Sequence, residues 1–152
     1  MKKFLLVAFF LVGTSINTFP AVSIATIERA FLLNQVSLLK NILPEEQYLS
    51  LSFPPPLSFS DTFSPEQTYL IFSHIFSRFK TQEFYSIHLY TLKTPGAAIL
   101  KTRWAFQDKQ TNKRYVLDVY FFLKTTSARP TIKDIPPEQT AWEIIEIKGF
   151  RR

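Results

Sequence analysis

An α+β domain is predicted, with helices that come first and pack on one face of a curved antiparallel sheet. Three observations predict it. Helical spacing of apolar residues is confined to two early stretches. A capped helix start stands at Ser64-Pro65. Beyond Thr81 the pattern is extended almost to the C-terminus, broken only by turn residues, as an antiparallel meander requires.

The chain opens with Met1-Lys2-Lys3 and then carries no charge from Phe4 to Ala21. Two lysines, an apolar core from Phe4 to Val12 and a more polar stretch through Gly13, Thr14, Ser15 and Asn17 fit the three regions of a bacterial export signal. Residues 1–21 are therefore read as a signal peptide, cleaved between Ile16 and Thr26, and residues 22–152 as a single exported domain, periplasmic or secreted. The apolar core is short against the roughly 20 residues that span a bilayer, so no stable membrane anchor is expected after removal. With no cysteine in the chain, neither a lipoprotein anchor nor a disulfide framework is available, and stability rests on a packed core.

Ser23 precedes Ile24, Ile27 and Phe31, then Val36, Leu39 and Leu43, at spacings of three to five. Asn34-Gln35 interrupts the series, so two short helices, about 23 to 33 and 36 to 43, are expected. From Tyr48 the period changes to two: Leu49, Leu51 and Phe53 alternate with Ser50 and Ser52, a half-buried strand ended by Pro54-Pro55-Pro56. In Ser64-Pro65-Glu66-Gln67, the Ser64 side chain caps the amide of residue 67, Pro65 has no amide to leave unpaired, and Glu66 complements the positive helix end. Leu70, Ile71, Phe72, Ile75, Phe76 and Phe79 give that helix its apolar stripe, with an end at Lys80-Thr81. Strands are then expected at Phe84 to Lys93, Ala97 to Gln107, Arg114 to Lys124 and Ala141 to Lys148. The turns are Thr94-Pro95-Gly96 and Asp108 to Lys113, and a longer loop runs from Thr125 to Gln139.

The core is aromatic: the chain holds 16 Phe, 6 Tyr and 2 Trp. Its formal charge of +6 falls by two when Lys2 and Lys3 leave with the signal. The remaining basic residues are spread along the sequence, among them Lys80, Lys93, Lys101, Arg103, Lys109, Lys113, Arg114, Lys124, Arg129 and Lys133, with only Lys148, Arg151 and Arg152 near the end. That dispersion and the exported location argue against a nucleic-acid partner.

At this point the chain resembles the nuclear-transport-factor-2-like superfamily of cystatin-type α+β cones, and within it small exported bacterial domains of unknown function. The resemblance rests on Ile27 to Leu43 (IERAFLLNQVSLLKNIL), Phe63 to Phe79 (FSPEQTYLIFSHIFSRF), the strand Tyr115 to Lys124 and the closing Trp142 to Phe150 (WEIIEIKGF). It implies a cone between sheet and helices. The superfamily includes dehydratases, isomerases, binding modules and oligomerising domains, so fold alone does not select a function.

Strand parity decides what faces the cone. The more apolar sets are Tyr85, Ile87 and Leu89, then Leu100, Trp104 and Phe106, then Tyr115, Leu117, Val119, Phe121 and Leu123. These are placed inward. The cavity lining expected from this is Phe72, Phe76, Tyr85, Leu89, Trp104, Leu117 and Phe121, suited to a small hydrophobic ligand or simply to a core. The opposite face receives His88, Tyr90, Arg103, Asp118, Tyr120 and Phe122, with Trp142 a further aromatic candidate for it. The superfamily resemblance implies dimerisation through this face, and a homodimer is the first partner expected.

Candidate chemistry is sparse. His88 and Asp118 could pair as acid and base, because an imidazole oriented by a carboxylate titrates near neutrality, yet parity puts both outside the cone. His74 falls on the polar side of its helix. Two histidines far apart, no cysteine and Glu45-Glu46 in a helix-end loop make no metal site, and no cofactor is expected. Gly13, Gly96 and Gly149 cannot form a phosphate-binding loop. The reading is thus an exported, non-enzymatic binding or protein-interaction module. The alternative is a dehydratase- or isomerase-like enzyme with a polar group inside the cone.

Overall fold

A computed structural model describes residues 23–40, 43–125 and 142–152. The expected signal peptide and its cleavage region up to residue 22 lie outside the described residues, as does nearly all of the 125–139 loop. The domain contains helices α1 (Ile24–Leu32), α2 (Val36–Lys40) and α3 (Pro65–Arg78) and strands β1 (Leu49–Phe53), β2 (Phe59–Phe63), β3 (Phe79–Thr91), β4 (Ala97–Asp108), β5 (Arg114–Thr125) and β6 (Trp142–Arg151).

Local sequence explains the starts. The Ser23 hydroxyl accepts from the Thr26 amide at 3.2 Å and opens α1. At α3 the capping box forms in full: Ser64 Oγ accepts from the Gln67 amide at 3.2 Å, and Gln67 Oε1 accepts from the Ser64 amide at 2.9 Å. Two of the amides orphaned at the helix end are thereby satisfied.

The strands form one curved mixed sheet in the order β2-β1-β6-β5-β4-β3. The meander β3-β4-β5 is antiparallel, as expected, and β6 continues it. Among the described residues the single parallel pair is β1 with β6, which joins the early strand to the last one. Strand β2 was not expected. Its five residues hold two apolar side chains, Phe59 and Phe63, too few to display alternation, and it forms by folding back on β1 through the proline-rich turn.

The junction of α3 with β3 also departs from expectation. No loop separates them: the helix ends at Arg78 and the strand begins at Phe79. The last helical carbonyls need donors, and two side chains remote in sequence supply them. Asn34, at φ 50° between α1 and α2, donates from Nδ2 to the Phe76 and Phe79 carbonyls at 3.3 and 2.7 Å. Its Oδ1 accepts from the Thr81 amide at 3.1 Å. Lys109 Nζ donates to the Phe76 and Ser77 carbonyls at 3.0 and 2.8 Å.

One contiguous core fills the space between helices and sheet, built from α1, α2, α3 and the inner face of all strands except β2, with Phe59 and Phe63 packed at its edge. Phe31 sits at its centre. Its ring stacks on Phe84 at 4.4 Å and meets Phe72, Phe76, Trp104 and Phe121 edge-on at 5.2 to 5.7 Å. Such offset and edge-to-face arrangements are the favoured ones for aromatic rings.

Candidate functional site

The parity reading holds in β4 and β5 and fails in β3. Leu100, Trp104, Phe106, Leu117, Val119, Phe121 and Leu123 are buried, and Tyr115 packs against the core. In β3, however, two register shifts occur, between Thr81 and Glu83 and between Ser86 and His88. Each extra residue turns the following side chains to the other face. Phe79, Thr81 and Phe84 are buried, whereas Tyr85 and Ile87 are 41% and 45% exposed. Tyr85 is thus removed from the inner lining; its hydroxyl accepts from Arg103 Nη1 at 3.1 Å on the outer face. Leu89 is only partly buried against the core. Of the residues expected to line a cavity, Phe72, Phe76, Trp104, Leu117 and Phe121 do face inward: the four rings each meet Phe31, Phe72 also meets Phe76, and Leu117 is buried in the same core. Trp142 likewise belongs to the core at 5% exposure and not to the outer face.

Polar groups inside the domain are few. Trp104 Nε1 donates to Thr81 Oγ1 at 3.0 Å, and Thr102 Oγ1 donates to the Val119 carbonyl at 3.0 Å. Thr68, fully buried on α3, has no partner for its hydroxyl. Among the described residues the one buried carboxylate is Asp108, and both of its oxygens are engaged. Oδ1 accepts from the Gln110 and Thr111 amides at 2.8 and 3.3 Å, and Oδ2 accepts from Arg78 Nε and Nη2 at 3.1 and 2.9 Å. The Gln110 amide, followed by Arg78 and the Thr111 amide, holds its pKa below the usual aspartate value against the opposing effect of burial. Asp108 therefore organises the β4–β5 turn.

The outer face is built in rows by the cross-strand register. Tyr85, Arg103, Asp118 and Phe150 form one row, and His88, Lys101, Tyr120 and Lys148 the next. Tyr90, Ile99, Phe122 and Glu146 form the third. All six residues expected on this face, His88, Tyr90, Arg103, Asp118, Tyr120 and Phe122, lie in these rows. His88 and Asp118 are not paired, because Lys101 stands between them. Its Nζ reaches Asp118 Oδ2 at 3.4 Å and lies over the Tyr120 ring at 5.5 Å. Tyr120, then Asp118, raise the Lys101 pKa above the ordinary lysine value. His88 instead meets Tyr90 ring to ring at 4.4 Å. Two atoms enclosed on this face, Arg103 Nε and Asp118 Oδ1, have no hydrogen-bond partner. Around them the aromatic side chains stay partly open: Tyr85 and Tyr90 at 41% and 45%, and Phe150, edge-on to Tyr120 at 5.4 Å, at 54% exposure.

Sequence reasoning missed Asn34, Asp108 and the central place of Phe31. Asp108 carried a signal, since aspartate opening a turn often accepts from amides two and three residues on. Asn34 carried a weaker one as a residue that tolerates positive φ.

No family model matches this sequence, and no curated protein matches it. Solved structures do. A DUF4783 family protein from Bacteroides ovatus aligns over 84% of this chain and 94% of its own, at 16% identity and a TM-score of 0.59. A ketosteroid isomerase-like protein from Erwinia carotovora atroseptica aligns over 84% and 90%, at 11% identity and a TM-score of 0.60. An NTF2-like protein of unknown function in nutrient uptake from Rhodospirillum rubrum aligns over 84% and 93%, at 8% identity and a TM-score of 0.58. The fold is therefore the nuclear-transport-factor-2-like α+β cone.

Proposed function

We propose that this chain, a nuclear-transport-factor-2-like cone, is an exported protein-interaction module that works through the outer face of its sheet, with a second copy of itself as partner. The observation that carries the reading is the division of its rings. Phe31 occupies the middle of the cone in contact with five other rings, so the interior serves as core. Tyr85, Tyr90, Tyr120, Phe122 and Phe150 gather on the sheet's outer side, among charges of both signs. Open aromatic side chains among mixed charges are what a protein interface needs. A face that meets its own copy about a two-fold axis must be self-complementary, so any charge on it needs its opposite on the same patch. Here Lys101 with Asp118 and Lys148 with Glu146 supply both signs.

The isomerase-like name of one neighbour belongs to that protein. An enzyme of that kind in this fold requires a free acid or base inside the cone, and among the described residues the buried carboxylate is already tied to Arg78 and the turn amides.

Sedimentation equilibrium tests the reading. The wild type is expected to associate reversibly, and Phe122→Glu, which sets a carboxylate beside Glu146 in the third row, to sediment as a monomer with unchanged circular dichroism. A monomer mass for the wild type at high concentration overturns self-association, and proton exchange or isomerisation of a ketone substrate abolished by Asp108→Asn would replace it with the enzyme reading.

A further inference from the structure

We infer that the end of the molecule formed by the α3–β3 junction and the β4–β5 turn is a docking surface for an anionic phospholipid bilayer. This goes beyond the self-association reading and uses a different part of the surface.

Five cations dispersed in sequence meet there. Lys80 pairs across the sheet with Gln107, and Gln107 with Arg114, so the two cations are separated by two strand spacings, about 10 Å. Arg78 is joined to the same corner through the Lys109 amide, which donates to the Arg78 carbonyl at 3.0 Å. Lys113 closes the turn by accepting from the Asp108 amide at 2.9 Å. Two carboxylates answer the five cations. Asp108 takes Arg78, and Glu83 takes Arg114 at 3.1 Å. Among the described residues, Lys80, Lys109 and Lys113 have no carboxylate partner, and the residues between them, Gln82, Gln107, Gln110 and Asn112, are uncharged.

The geometry favours a bilayer over a discrete ligand. The cations spread across a helix end, two strands and a turn instead of converging on one point, and two are held over rings: Arg78 over Phe79 at 5.0 Å and Lys113 over Tyr115 at 5.5 Å. Lys109 spends two of its donors on helical carbonyls, so it contributes charge more than contacts. Dispersed, non-convergent charge suits a fluid plane of monoanionic headgroups, each nearby Lys or Arg adding about 1 kcal/mol at low salt. The docking is electrostatic and reversible, which distinguishes it from an anchor.

Flotation of the full chain with vesicles tests this, using phosphatidylcholine alone and phosphatidylcholine mixed with phosphatidylglycerol. The leader contributes equally in every variant, so the comparison between variants is the readout. Lys80→Glu/Lys113→Glu is expected to lower partitioning onto the mixed vesicles about tenfold or more, while Lys40→Glu/Lys93→Glu, an equal change of net charge at exposed sites elsewhere, stays within about twofold of wild type. Lys80→Gln/Lys113→Gln, the milder pair, should fall between, and added salt should erase the differences. Equal losses in the two charge-reversed variants, or a loss in Lys80→Glu/Lys113→Glu that is the same on both lipids, would overturn the proposal. Binding to duplex DNA as tight as to the mixed vesicles would overturn it in favour of a nucleic-acid partner. None of these outcomes depends on whether the chain self-associates.

Discussion

Phe31 touches α3 through Phe72 and Phe76, and the sheet through Phe84, Trp104 and Phe121. Removing its ring opens a hole lined by five rigid neighbours that cannot collapse together, and Phe31→Ala is expected to cost about 3–5 kcal/mol, read from the urea midpoint at constant slope. Asp108 makes a prediction in pH. Its folded pKa lies below the ordinary aspartate value, chiefly through the Gln110 amide and then through Arg78. The stability it contributes is therefore fully present above about pH 4, the unfolded value, and is lost as the pH falls through the lower folded value. In thermal melts the gap between wild type and Asp108→Asn should be constant near neutrality and close progressively below about pH 4. A gap that persists unchanged at lower pH would show that the turn does not depend on the charge.

At the scale of elements, β6 has a constraint that its own sequence does not announce. Gly149 lies where a Cβ would stand 2.6 Å from Phe53 Cδ1 and 3.1 Å from Cε1. β1 and β6 are the parallel pair, so the displaced ring would disturb the one link between the early hairpin and the meander. Gly149→Ala is expected to destabilise by about 1–3 kcal/mol through overpacking, with the paired Phe53→Leu recovering part of the loss in a double-mutant cycle. Strand β3 shows a second constraint. Its two bulges keep Phe79, Thr81 and Phe84 inward while Tyr85 and His88 turn out. At the first, the extra residue is polar, Gln82, and at the second it is Ile87, so no hydrophobicity pattern announces the flips.

Over the whole molecule, the proposed self-association would link stability to concentration, because a partner that binds only the folded form raises the apparent Tm by mass action. The melting temperature of the wild type should rise with protein concentration, and that of Phe122→Glu should not. Charge is a second whole-molecule property. Along the chain the basic residues look evenly scattered, but the α3–β3 junction and the β4–β5 turn bring Arg78, Lys80, Lys109, Lys113 and Arg114 to one end. Linear dispersion is no guide to a patch when a helix end leads straight into an antiparallel strand pair and sets residues 30 positions apart side by side, as Arg78 and Asp108 are.

What the sequence determined by itself is everything local and periodic. The capping box at Ser64, the break at Asn34-Gln35, the meander from β3 to β5 and the inward faces of β4 and β5 follow from hydrogen-bond chemistry within four residues or from uninterrupted alternation. Of the site, the outer-face membership of Arg103, Asp118, Tyr120 and Phe122 was legible in the same way, whereas His88 and Tyr90 reach that face only because the second shift in β3 undoes the first. Tertiary structure alone decided the rest: β2 exists only because β1 offers it an edge, Tyr85 points outward only because bulges shift the β3 register against β4, and Lys101 separates His88 from Asp118 only because β4 lies between their strands. Each of these depends on which strand lies beside which, a long-range choice set by how the whole aromatic core packs, and no window of neighbouring residues contains it.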